Sequence, residues 1–227
     1  MLASRVRQHV NPLASHFDYP PALPAAWDEV LADAQGLPLV VDVGCAAGGW
    51  MVALAKKRGD VNVIGLEIRR PVAKAAAAAT DELANAYAAW GNVLPERAPA
   101  LIDALPREPA LITFHFPDPW FKKKHTKRRV VNPGLARALA SRLAPGTGIF
   151  VQTDVLELFE AMDEVWSSTP GFERSTALPD LFPGSVFASG ASTDGSVNAT
   201  GVATELETRC LARNMPIYRA LFVRSAL

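Results

Sequence analysis

The chain has 227 residues, 49% hydrophobic and 20% charged, enough apolar mass for the core of one globular α/β domain. Its 23 Lys and Arg balance 23 Asp and Glu, which excludes a global attraction to nucleic acid or anionic membrane and requires any such binding to come from a local patch. No apolar run approaches the roughly 18 residues of a membrane span, and Cys45 and Cys210 lie far apart in no metal-like spacing, as expected in a reducing compartment.

Residues 1–36 read as an N-terminal arm and lead-in. The stretch MLASRVRQHVNPLASHF is basic and has no acid before Asp18, loosely like an organelle transit peptide, but it lacks the apolar core of a signal peptide. Residues 37–227 read as a single domain. LPLVVDVG (37–44) is a β-branched run closed by glycine, a buried parallel strand. CAAGGW follows as a tight loop, 50–58 as a helix, and VNVIGLEI (61–68) as a second strand. Pro71 opens an alanine-rich stretch to Trp90 that predicts one long helix. ALITFHF (110–116) is a further strand, and Asn132-Pro133 starts a helix that runs to Pro145-Gly146. GIFVQTD (148–154) and the helical 155–166 come next. Residues 183–203, rich in Gly, Ser, Ala and Thr, predict a mobile loop before a short helix (204–214) and a last strand (216–224). The alternation predicts a Rossmann-like, mostly parallel sheet with helices on both faces.

In such a sheet ligands bind beyond the carboxyl ends of the strands. Gly44, Gly48 and Gly49 fall there, just before a helix whose N–H groups are free. Their spacing is neither the dinucleotide G-x-G-x-x-G nor a phosphate loop. Glu67 ends the second strand at the interval where an acid commonly takes ribose hydroxyls. A ribose-bearing ligand without phosphates fits best, and S-adenosylmethionine is the candidate. Asp42, within the first strand, is costly to bury without a partner. It is expected to tie down the loop's N–H groups, to meet the ligand's amino-acid moiety directly or through water, or both.

Asp118 stands just past strand 110–116, pinned between Pro117 and Pro119. Six Lys or Arg then fall within the eight residues 122–129, at the mouth of the expected site. That position favours phosphate binding over a solvated loop or a nuclear localisation signal. Trp120 is available to stack on a base or to pack. No metal-ligand constellation is visible.

The stretch FHFPDPWFKKKHTKRR resembles the signature of the tRNA (guanine-N7-)-methyltransferases, S-adenosylmethionine-dependent enzymes that methylate guanine in the tRNA variable loop. VDVGCAAGGW, IGLEIR, QTD and TELE followed by NMPIYRALFVR are similar to further family segments, so the likeness covers most of the chain. RVRQHVNPL resembles the family's N-terminal arm, and Arg7 an arginine within it. The resemblance implies a class I methyltransferase fold, with Asp42, Gly44, Gly48, Glu67 and Asp118 at the cofactor and Asp118 as the catalytic residue. It implies tRNA contacts at Lys122, His125, Arg128 and Asp154, and at Thr204, Glu205, Leu206 and Glu207. It implies no metal and no membrane, a monomer or small homo-oligomer, and a cytoplasmic enzyme, or a plastid one in a photosynthetic eukaryote. A scaffold of the same fold without turnover, or a methyltransferase acting on another RNA, are the alternatives. In one place the chain departs from the pattern: family members carry an Asn or Asp that reads adenine, and Ala98 or its neighbours fall where it is expected. From spacing alone, Thr204 and Glu207 also form a helix capping box.

Overall fold

The computed structural model describes residues 9–178, 180–183, 190–192 and 200–226. The loop expected over 183–203 lies largely outside them, as does Arg7. Five parallel strands, β1 (Leu39–Val43), β2 (Asn62–Glu67), β3 (Ala86–Trp90), β4 (Pro109–His115) and β5 (Gly148–Thr153), form the body of one sheet. Its order is β3-β2-β1-β4-β5-β8-β6, where β6 is Phe172–Ser175 and β8 Ile217–Arg224. β8 runs antiparallel to β5 and carries β6 and the short β7 (Gly190–Ser192) on its other side.

β1, β2 and β5 are buried along their whole length, which is why they read as continuous apolar runs rather than alternating ones. Helices α1 (Gly49–Lys57) and α2 (Arg70–Thr80) cover one face around Trp50, Met51, Leu54 and Ala76. Helices α3 (Ala98–Asp103), α4 (Pro133–Ala140) and α5 (Leu156–Ser167) cover the other around Leu101, Leu135, Phe159 and Trp166. Asn132 caps α4 as expected, its side chain accepting from the N–H groups of Gly134 and Leu135. Among the described residues no helix is long and apolar enough to cross a membrane.

The single helix expected over 71–90 is two elements. α2 stops at Thr80, and the side-chain amide of Asn85 donates to the carbonyls of Ala55, Arg58 and Val61. AYAAW then pairs with β2 from Val63↔Ala86 to Glu67↔Trp90. Alanine's helix preference is worth only tenths of a kcal/mol per residue, and a whole ladder beside a buried strand outweighs it. The consequence is functional, because it brings Gly91 and Asn92 to the same edge of the sheet as Glu67.

Candidate active site

The carboxyl ends of β1, β2, β3 and β4 open into a cleft of about 930 Å³. Gly44 and Gly48 bound its inner turn at φ +86° and +83°. A Cβ at Gly48 would sit 3.2 Å from that of Ala76, so this glycine lets the turn close on α2. A Cβ at Gly44 or Gly49 would meet nothing within 4 Å, so these two face open space where a ligand's atoms can approach the backbone. The N–H groups of Gly44 and Cys45 both donate to the Leu66 carbonyl, 2.8 and 3.1 Å away.

Asp42 therefore does not tie down the loop. It is buried and accepts from the Thr113 hydroxyl at 2.9 Å. Burial pushes its carboxyl up to about 7; the Thr113 bond opposes the shift and the nearby Glu67 adds to it. Glu67 is also buried and is gripped by Arg69: Oε1 accepts from the backbone N–H (2.8 Å) and Nε (3.0 Å), and Oε2 accepts from Nη2 (2.9 Å). A carboxylate offers about four acceptor sites, so Oε2 retains capacity for a further donor.

Asn92 lines the cleft, although it was not singled out from the sequence. It lies two residues beyond β3, buried on the cleft wall, and its amide donates to the carbonyls of Pro12 and Phe17. Its Oδ1 receives no hydrogen bond from the described residues. Ala98, by contrast, is fully buried at the start of α3. The signal was present as GNV, but reading 71–90 as helix hid the strand end that gives it meaning. Asn92 also fastens the N-terminal arm, so that Val10, Pro12 and Leu13 form one side of the cleft.

Asp118 stands at the rim with its side chain 35% exposed, and its Oδ1 lies 2.5 Å from His9 Nδ1. Phe116 and Trp120, on either side of the Pro-Asp-Pro segment, hold φ of +47° and +45°. Such left-handed backbone costs roughly 1–3 kcal/mol for a bulky residue, and surrounding contacts must hold it in place. Here Phe116 N–H donates to the Gln152 carbonyl at 2.7 Å. The Arg128 guanidinium lies over the Trp120 ring, 4.9 Å from its centroid, and the His125 ring stands near-perpendicular to it with centroids 5.8 Å apart. Trp120 thus packs with the basic run.

That run forms a 3₁₀ turn over Lys123–Arg128, with Lys122 as its N-cap. Arg129 is structural: Nε donates to the Pro119 carbonyl at 2.8 Å, and Nη2 lies 3.0 Å from Glu157. Lys127 and Arg128 reach the cleft wall, while Lys122 and His125 stand outside it. The His125 imidazole is pushed toward its neutral form, by desolvation first and then by Arg128, Lys124, Lys122 and Lys127.

Of the TELE segment, Thr204, Glu205 and Leu206 line the cleft. Thr204 and Glu207 complete the capping box of α6 (Glu205–Ala212). Glu207 does not reach the wall: it is fully buried, and Arg219 Nη2 lies 2.6 Å from its Oε1. Gln152 sits opposite Arg219 in the β5–β8 register, accepts from its Nε at 3.1 Å, and bonds His115 Nδ1 through its amide at 2.8 Å. Arg can only donate, which orients the Gln152 amide and fixes the His115 tautomer. Burial pushes the His115 imidazole down to about 3, and the Arg219 charge adds to the shift. Asp154, just past β5, is half-buried and off the cleft wall. Among the described residues no group of His, Cys, Asp and Glu is placed to hold a metal ion.

A family model described as "Putative methyltransferase" matches residues 37–220. A tRNA (guanine-N(7)-)-methyltransferase of Synechococcus elongatus is 38% identical over 99% of this chain and 98% of its own length. Those of Microcystis aeruginosa and a Synechocystis species are 36% and 34% identical, over 98% and 99% of this chain and 99% and 100% of their own. Among solved structures, the antibiotic-resistance methyltransferase Kmr superposes with a TM-score of 0.52 at 15% identity, over 86% of this chain and 91% of that one. TrmN from Thermus thermophilus gives 0.52 at 13% identity, over 87% of this chain and 47% of that one. These two likenesses establish the class I methyltransferase fold.

Proposed function

The chain belongs to the tRNA (guanine-N(7)-)-methyltransferase family, and on that premise we propose that it transfers a methyl group from S-adenosylmethionine to N7 of a guanine in the variable loop of tRNA. The observation that carries this reading is a rigidly held acid at the rim of a ligand-sized cleft, with a basic turn beside it.

The cleft suits the cofactor. Gly44 and Gly49 leave room for the methionine backbone, and Asp42 is set to meet its ammonium. Glu67 retains acceptor capacity for ribose hydroxyls, and Asn92 Oδ1 is open to an adenine amino group. When bound, S-adenosylmethionine supplies a methyl carbon already activated on a sulfonium. Guanine N7 carries a lone pair and no proton, so no general base is needed, and the protein's task is alignment. Charge appears on guanine only as the methyl is transferred. Asp118 stabilises that charge and accepts from guanine N1–H and the amino group, which an adenine does not offer in that pattern, while Asp154, off the cleft wall, is left to meet tRNA outside the cleft. The buried Arg219–Glu207 pair holds the end of α6, so that Thr204 and Glu205 meet the base from a fixed helix end. The base must leave its stack, which costs less in a loop than in a duplex. The basic run draws in the phosphates. The bacterial relatives favour a cytoplasmic site of action.

Methyl-labelled cofactor and an unmodified tRNA transcript test the reading. Digestion should place the label in 7-methylguanosine; label in another nucleoside, or none with cofactor bound, would overturn it.

A further inference from the structure

Phe121 is a large aromatic side chain 63% exposed, the most exposed of the large hydrophobic residues described. Ordered backbone flanks it on both sides. Before it, Trp120 is locked at positive φ and held in place by Arg128 and His125. After it, the 3₁₀ turn of Lys123–Arg128 begins one residue beyond Lys122. Trp120 and Asp118 line the cleft and Phe121, three residues after Asp118, does not, so its ring is exposed to solvent beside residues of the cleft wall.

We propose that Phe121 is a stacking platform for the RNA base that flanks the extruded guanine; this rests on the tRNA methyltransferase reading above. A guanine that leaves its stack exposes a face of its neighbour, and a protein aromatic can replace the lost partner. Every base has a π-face, so the platform is indifferent to sequence, and the surrounding cations hold the backbone in place. Trp120 packs against Arg128 and His125 and lines the cleft, whereas Phe121 lies outside that lining. An exposed phenyl ring with lysines also suits an anionic membrane surface. Its place beside the wall of a cleft built around Asp118 favours RNA.

The test compares Phe121→Ala with Phe121→Trp, which keeps an aromatic face. Affinity for an unmodified tRNA transcript is measured across a salt series, with cofactor affinity by calorimetry as the check of folding. Phe121→Ala should weaken tRNA binding roughly 10- to 100-fold, the range for loss of one stacked base. Phe121→Trp should stay within about threefold of wild type. Stacking releases no counterions, so the salt slope should be unchanged in both. Phe121→Ala binding like wild type, a loss equal in both variants, or a loss accompanied by a flatter slope would overturn the proposal. So would Phe121-dependent binding to phosphatidylserine vesicles with tRNA affinity intact. Failure of the parent reading looks different: the wild type itself then neither binds nor methylates tRNA.

Discussion

The two halves of the cleft hold their acids in opposite ways. Asp42 and Glu67 sit on strand ends, buried, with partners from Thr113 and Arg69 already in place. Asp118 sits on a strained loop at the rim, a third exposed, and touches the N-terminal arm. A buried acid on a strand is a fixed feature of the fold and suits a small ligand of constant shape. An acid on a loop between prolines is fixed locally yet open to a macromolecule. The contrast predicts that changes in the inner half register in stability and cofactor affinity, and changes at the rim in tRNA binding and turnover.

The largest effect should come from beneath the site. Arg219→Met removes the buried cation facing Glu207, and breaking such a pair costs about 3–5 kcal/mol; chemical denaturation should show it, and a loss below about 1 kcal/mol would deny the pair its role in holding α6. At the rim, replacing Lys122, Lys124 and Arg128 together by Ala should lower the tRNA salt slope by about 2–3 units if all three meet phosphate. An unchanged slope reassigns the run to a solvated face. Glu67→Ala should weaken S-adenosylmethionine by about 1–3 kcal/mol, as ribose loses a charged acceptor; wild-type affinity in the purified variant removes the ribose assignment.

The smallest effect is a pH dependence. Asp42 in the free protein titrates at about 7, above its unfolded value near 4, so the folded chain favours the protonated form. The stability this group contributes is fully present below about pH 4 and is lost as pH rises through 7. Ionised Asp42 is the form that meets an ammonium, so cofactor binding should release a proton and tighten between about pH 6 and 8. Titration calorimetry in that window should show the rise in wild type and not in Asp42→Asn.

Legibility followed the physics of each element. β1, β2, β4 and β5 are buried on both faces, so β-branched runs marked them, and the glycine turn and Asp118 followed from where those strands end. β3 was hidden because AYAAW has helical composition and becomes a strand only through pairing with β2. Asn92 was lost with it. Thr204 and Glu207 were legible as a capping box, but the buried cation opposite Glu207 comes from β8, a contact across twelve residues that no local pattern encodes. Trp120 and Phe121 look alike as neighbours in the sequence. Only the backbone twist at Trp120 separates a packed ring from an exposed one.

The central claim is that the rim acid acts on charge that arises during methyl transfer. Asp118→Asn keeps the size and removes the charge, and single-turnover methylation of unmodified tRNA at saturating cofactor isolates that step. The account predicts a rate lower by roughly 10²-fold or more, about 3 kcal/mol, with the fold and the affinity for tRNA retained. A rate equal to wild type would make Asp118 a turn residue between two prolines and contradict the mechanism.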